Sequence, residues 1–233
     1  MDAALLGPSP ARRAVVLLSG GLDSAVCLGV ALREGFAAWT VSFDYGQRHR
    51  AELDAARAVA SAAGVPASRR RIVDLRGVFS GSALTGHAEV PLDRDPAEMA
   101  SGVPVTYVPA RNLVFLSLAA AIAEPLGARD VFIGVNALDY SGYPDCRPEF
   151  IAAFAEAARL GLRDGVTVHA PLVRLDKAGI VRLGLEVGAP LHLTLSCYRG
   201  TVPACGRCDA CLLRRKGFAE AGHPDPIPYA PEG

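Results

Sequence analysis

The sequence lacks any excess of charge. Its 24 Lys and Arg balance 24 Asp and Glu, so no overall field draws nucleic acid or an anionic membrane, although a local patch such as Arg69 to Arg71 remains. It has little long apolar sequence. The stretch Leu113 to Ala123 is about half the length a bilayer crossing needs, and Glu124 and Pro125 close it. An internal repeat and a low-complexity block are also missing. Residues 1–13 carry Asp2, Pro8 and Pro10 and no apolar core after a basic start, so they read as a loose extension rather than a secretory signal. A cytoplasmic location is the expectation. What remains is a chain of 233 residues, 51% hydrophobic, suited to one domain with a small appendage and able to bury roughly 70% of its unfolded surface.

Ala14 to Leu18 is an apolar run that stops at Ser-Gly-Gly and gives way to a helical pattern through Ala25, Val26, Leu28 and Leu32. A second strand is expected over Ala38 to Phe43, a helix over Arg50 to Ala63, and a third strand over Arg71 to Leu75. The alternation resumes with a buried helix over Leu113 to Leu126, a strand over Asp130 to Val135, a helix over Pro148 to Leu162 and a strand over Val166 to Ala170. Strands alternating with helices imply an α/β, doubly wound, mostly parallel sheet. Between Phe79 and Thr106 the periodicity fails, and a long loop or small excursion is expected. Pro224, Pro226, Pro228 and Pro231 make the C-terminus an extended arm.

In Ser19-Gly20-Gly21-Leu22-Asp23-Ser24, two glycines between a strand and a helix turn the backbone tightly and aim amides at an anion, for which phosphate is the natural ligand. Ser19 and Ser24 add hydroxyl donors, and Asp23 can cap amides or help hold Mg2+. An ordinary strand-to-helix turn is the plainer reading. Neither a Walker A lysine nor a G-x-G-x-x-G fingerprint is present, so those two nucleotide-binding classes lose ground. The loop resembles the signature of the PP-loop ATPases, which bind the pyrophosphate of ATP and activate oxygen atoms by adenylation.

Four of the six cysteines, Cys197, Cys205, Cys208 and Cys211, fall in a C-x7-C-x2-C-x2-C pattern. In a reducing compartment such spacing points to tetrahedral zinc with no open position, a structural site; an iron–sulfur cluster or redox thiols are the alternatives. Cys27 and Cys146 read as small buried or site-lining residues.

Polar groups also gather where strands end, the ligand side of an open α/β sheet: Asp44 to His49, Pro109 to Asn112, Tyr143 to Phe150, and Asp176-Lys177. Singly, each is a solvated helix start or a turn. Together with Ser196 to Gly200 and the run Cys205 to Arg214, in this order, they resemble the 7-cyano-7-deazaguanine synthase family from about Ala14 to Phe218. The chain departs from that family's common pattern at Leu22, Ala25-Val26 and Leu195.

The resemblance implies an adenine nucleotide alpha hydrolase-like PP-loop domain over residues 14–190 and a zinc-binding region and tail over 191–233. It implies an ATP-dependent C–N ligase of queuosine biosynthesis. Such an enzyme adenylates 7-carboxy-7-deazaguanine, takes up ammonia to give an amide, and dehydrates it to the nitrile with release of AMP and pyrophosphate. ATP, one structural Zn2+ and Mg2+ are the implied cofactors. A homodimer without nucleic-acid or membrane partners is the implied assembly. Nucleotide contacts are expected from Leu18, Ser19, Gly20, Gly21, Leu22, Asp23, Ser24, Ala25, Val26, Cys27, Leu28 and Asp44. Ser19, Asp23 and Ser24, with Arg111 and Lys177 neutralising charge on phosphate oxygens, are the expected catalytic set. Substrate contacts are expected from Tyr45, Gln47, Arg111, Asp145, Arg147 and Glu149, an acidic group taking the donor edge of the base and Arg147 its carboxylate. Two other readings stand beside this one: a PP-loop ATPase that thiolates or otherwise modifies RNA, and a non-enzymatic zinc module.

Overall fold

The computed structural model describes residues 11–47, 51–86, 88–138 and 142–231. The expected extension up to residue 10, together with Arg48, His49 and the helix start at Arg50, lies outside the described residues. β1 (Arg13–Leu17), β2 (Ala37–Asp44), β3 (Arg70–Asp74), β4 (Asp130–Phe132) and β5 (Thr167–His169) form one parallel sheet in the order β3-β2-β1-β4-β5. The central strand reads Val-Val-Leu because both its faces are covered. Val15 and Leu17 pack toward α4 (Arg111–Ala123) and α5 (Pro148–Gly161), with Leu116, Ala119, Ile151 and Phe154. Ala14, Val16 and Leu18 pack toward α1 (Leu22–Arg33), α2 (Ala51–Ala62), α6 (Lys177–Glu186) and α7 (Asp209–Glu220), with Val26, Leu28, Val59, Ile180 and Phe218. The fold is the doubly wound α/β arrangement that the alternation implied.

The irregular stretch 79–106 is strapped to the cysteine region. It contains the short helix α3 (Pro96–Ala100), held by a capping box in which Asp95 and Glu98 each accept the other's amide at 2.8 Å. Leu92 bridges Cys208 antiparallel, Asp93 N donates to Arg207 O at 2.9 Å, and Arg94 pairs with Asp209 at 2.5 Å. Its periodicity fails because its partners are distant loops rather than the sheet.

Two helices escaped the sequence reading. α6 starts at Asp176, whose carboxylate accepts from Gly179 N at 2.7 Å, and α7 has Cys208 as its N-cap and Cys211 in its first turn. The tail is extended, as its prolines require: Ala204 N donates to Pro228 O and Ala230 N to Ala204 O. Arg214 of α7, 1% exposed, pins that tail from inside through Asp225. Among the described residues no helix is long and apolar enough to cross a membrane.

Candidate active site

The strand order reverses between β1 and β4, so the connections leaving their C-terminal ends run to opposite faces and leave a crevice above the sheet. The loop 19–21 opens into it. Ser24 Oγ accepts from Ser19 N at 3.2 Å and from Ser19 Oγ at 3.1 Å, and donates to Gly21 O at 3.0 Å. Ser196 Oγ takes Leu22 N at 3.4 Å, and Leu195 N donates to Gly20 O at 2.9 Å, so the segment after α6 braces the loop from outside. Gly21 is the N-cap of α1 and contributes no side-chain cap, so apart from Leu22 N the first-turn amides are left to whatever enters.

The two loop glycines are not equivalent. Gly20 has φ +92°, and a Cβ there would lie 2.3 Å from Glu52 O and 2.6 Å from Ala56 N, backbone atoms of α2. Gly21 has φ −78° and its nearest would-be neighbour is 3.5 Å away. Gly20→Ala is therefore expected to lower stability by about 1–3 kcal/mol from backbone strain alone, and Gly21→Ala by far less. Paired thermal denaturation curves check this; equal shifts would contradict it.

Asp23 in the first turn of α1 receives Lys177 Nζ on both oxygens, at 2.8 and 2.9 Å, which ties α6 to the loop. Gly217 of α7 gives the lysine stem its room, since a Cβ there would fall 2.4 Å from Lys177 Cγ. Gly134, just after β4, likewise lets the Asp23 backbone approach, a Cβ there falling 2.9 Å from Asp23 O. Arg111 begins α4 directly after Ala110, a non-glycine N-cap held at φ 57°. Backbone in that region survives only where surroundings over-determine it. Here Ala110 N donates to Tyr107 Oη at 3.2 Å, and Asn112 N donates to the buried Asp145 carboxylate at 2.9 Å. Arg111 itself reaches Tyr45 Oη at 3.4 Å. Burial works against its charge, but its surroundings, Tyr45 first, hold its pKa above the usual arginine value.

Ser19, Gly21, Leu22, Asp23, Ser24, Tyr45, Gln47, Arg111 and Lys177 line one cavity of about 270 Å³, together with Leu18 at its floor. Part of its lining is the polar helix start. Another part is an aromatic wall in which Phe43 and Phe115 stack at 4.1 Å and Tyr45 tilts against Phe115 at 5.6 Å. Ala25, Val26, Cys27 and Leu28 are buried in the core behind the loop, and Asp44 also stays off the lining. Gln47 faces the cavity with its side-chain amide engaged locally: its Oε1 accepts from Tyr45 N and its Nε2 donates to Phe43 O. Asp145 is buried under α4, while Arg147 and Glu149 are exposed at the start of α5, and none of the three is part of the cavity wall. Cys146 does line it, but burial pushes its thiol up to about 12, so it is a neutral group and not a ready nucleophile.

The sulfur atoms of Cys197, Cys205, Cys208 and Cys211 all lie within 4.8 Å of one another, a cluster able to hold a metal. A tetrahedral Zn–S4 centre with bonds of about 2.3 Å has sulfur–sulfur edges of about 3.8 Å. Cys205 and Cys211 are 3.9 Å apart. Cys205 N donates to Cys197 Sγ and Cys208 N to Cys205 Sγ, both at 3.4 Å, and Cys208 and Cys211 sit at the start of α7. Amide donors and a helix start both favour thiolate, so the donor set fits a divalent cation.

A family model described as "Queuosine biosynthesis protein QueC" matches residues 13–222. The chain belongs to the QueC family. It is 60% identical over 231 residues to a 7-cyano-7-deazaguanine synthase of Anaeromyxobacter dehalogenans, covering 95% of this chain and 97% of the relative. A protein of the same name from Solidesulfovibrio magneticus is 57% identical over 94% of this chain and 97% of its own length. Among solved structures, NMN synthetase from Francisella tularensis is 15% identical, with a TM-score of 0.50, over 92% of this chain and 79% of that one, a likeness of fold alone.

The sequence reading gave no individual role to several lining residues of this QueC chain. Glu52, Asn112, Tyr143, Ser196 and Tyr198 all face the cavity. Tyr143 Oη lies 2.8 Å from Thr106 Oγ1 and 3.4 Å from Tyr198 Oη, a buried hydroxyl string joining the segment 79–106 to the cysteine region. Ser196 and Tyr198 flank Cys197 and were read only as part of the run Ser196 to Gly200 that carried the family resemblance. Glu52 keeps an opening to the cavity but is otherwise enclosed, and burial raises its carboxyl to about 7 against the opposing pull of Arg111. Only its place in the first turn of a helix near a strand end could have singled it out.

Proposed function

We propose that this enzyme converts 7-carboxy-7-deazaguanine, ammonia and ATP into 7-cyano-7-deazaguanine. The observation that carries the reading is the single cavity in which a helix start suited to phosphate meets an aromatic wall suited to a flat bicyclic base. It occurs in a chain that matches its synthase-named relatives nearly end to end. A PP-loop enzyme modifying RNA is disfavoured by those same relatives.

A carboxylate resists nitrogen nucleophiles because its charge repels them and oxide leaves badly. Attack of an acid oxygen on the α-phosphorus of ATP breaks the bond to pyrophosphate and creates an acyl-adenylate. The amides and hydroxyls of Ser19, Gly20, Gly21 and Ser24 then hold the departing pyrophosphate. Ammonia adds to the acyl carbon, a proton leaves, and AMP departs to give the amide. A second adenylation, on the amide oxygen, lets loss of a proton and AMP form the nitrile. Lys177 and Arg111 offset charge on the phosphate oxygens. Mg2+ bound with the nucleotide would supply further neutralisation, and Asp23, the loop carboxylate now paired with Lys177, would help hold it. Mass spectrometry of protein incubated with ATP, ammonium and the deazaguanine acid is expected to find nitrile and AMP. Folded protein that forms neither would end the reading.

The four cysteines would hold one Zn2+ per chain in a structural role, its four thiolates leaving no position for water. Metal analysis of purified protein is expected to return one zinc per chain, and Cys208→Ser is expected to lower both zinc content and thermal stability. Iron, or no metal, would refute the assignment. A cytoplasmic homodimer acting on small molecules alone completes the proposal; its support is the family likeness and the balanced charge.

A further inference from the structure

The expected readers of the base, Asp145 and Glu149, do not line the cavity. Asp145 is committed to Asn112 N, and Glu149 is exposed on α5. We propose that Glu52 takes their place and determines substrate specificity: its carboxylate accepts the ring N–H and the exocyclic amine that a guanine-type base presents side by side on one edge.

Of the two carboxylates among the described lining residues, Asp23 is held bidentately by Lys177. Among the described residues the Glu52 carboxylate has no hydrogen-bond or ion-pair partner. A carboxylate that opens onto the cavity with no protein donor has its acceptor sites free for a ligand, and two adjacent N–H groups fit it in number and geometry. Its backbone cannot drift, because the carbonyl of Glu52 lies against Gly20 so closely that a Cβ on Gly20 would overlap it. The base reader and the phosphate loop are thus fixed to one another. Phe43, Tyr45 and Phe115 line the same cavity and offer the flat apolar surface a bicyclic ring needs.

Charge also sets the orientation. The acid group of the substrate is repelled by Glu52, so the donor edge turns toward Glu52 and the acid away from it. One acidic side chain therefore both selects the base and orients its acid group. Burial raises the Glu52 carboxyl, a shift that two donors from a ligand would oppose.

This inference rests on the proposed reaction, and the test separates the two. With ammonium saturating, kcat/KM is measured for the deazaguanine acid and for its analogue lacking the exocyclic amine, using wild type, Glu52→Gln and Glu52→Asp. Wild type is expected to prefer the amine-bearing acid by about 100-fold or more, because the analogue leaves a buried acceptor unmatched. Glu52→Gln presents an N–H to a donor and is expected to raise KM for the acid by roughly 10-fold or more with KM for ATP unchanged, and to erase most of that preference. Glu52→Asp should retain part of it. If Glu52→Gln does not turn over, calorimetric binding of the two compounds to the folded variant reads the same ratio. An undiminished preference in Glu52→Gln, or a KM change that falls on ammonium instead, overturns the inference. Failure of wild type to make the nitrile overturns the proposed reaction and leaves the binding ratio to judge Glu52.

Discussion

Arg214→Met is expected to lower the unfolding free energy by about 3–5 kcal/mol, as removal of one member of a buried ion pair typically does. Arg214 and Asp225 are 1% and 9% exposed. The guanidinium meets Asp225 through Nε at 2.9 Å and Nη2 at 3.0 Å, and also donates to Thr194 Oγ1 at 2.6 Å and to Leu191 O at 3.1 Å. Asp225 in turn accepts from Tyr229 Oη at 2.6 Å and from Ile227 N. Methionine refills the space above Phe218 but leaves a buried carboxylate facing no cation. The double variant Arg214→Met/Asp225→Asn removes that lone charge and should recover a measurable part of the loss in chemical denaturation. If the single and double variants are equally stable, the pair has no special energetic role. Activity should follow, because residues 191–196, which Arg214 holds, supply Leu195 N to Gly20 O and Ser196 Oγ to Leu22 N. A raised KM for ATP in the folded fraction is the expected sign.

What could be read beforehand was whatever depends on local pattern. Val15, Val16 and Leu17 announce a strand covered on both faces, and Ser-Gly-Gly after it announces a helix start facing an anion, because strand period and glycine freedom are properties of neighbours in sequence. The four cysteines converge as their spacing required. The sequence could not weigh Gly20 against Gly21, since the difference is a backbone angle imposed by α2. Nor could it tell that Asp145 ends under α4 as a partner of Asn112 N, or that Glu52 faces the cavity, since both depend on how helices distant in sequence dock. Arg214 looked like one more basic residue near the cysteines. Its burial follows from the tail folding back, which no local periodicity encodes. Pairings of that kind are long-range, and the same is true of Leu92 with Cys208 and of Lys177 with Asp23.

The Lys177 pairing leads to the sharpest expected loss of activity. Lys177→Met keeps the aliphatic stem that packs against Gly217 and removes only the ammonium. Asp23 is left without its partner, but its side chain is 26% exposed and lies in the first turn of α1, where the helix start favours a negative charge. The stability cost is therefore expected to be about 1 kcal/mol or less. The kinetic cost should be much larger, about 10²–10³-fold in kcat, if the ammonium turns from Asp23 to the phosphates as negative charge grows there. Asp23→Asn is the decisive comparison. A purely architectural pair predicts similar damage from either side, whereas a lysine that acts on phosphate predicts that Asp23→Asn keeps far more of the substrate-dependent ATP–pyrophosphate exchange than Lys177→Met. Lys177→Arg should not restore the rate, because a planar guanidinium cannot replace the compact ammonium that sits on both Asp23 oxygens. Equal exchange rates in Lys177→Met and Asp23→Asn would reduce Lys177 to a strut between α6 and the loop.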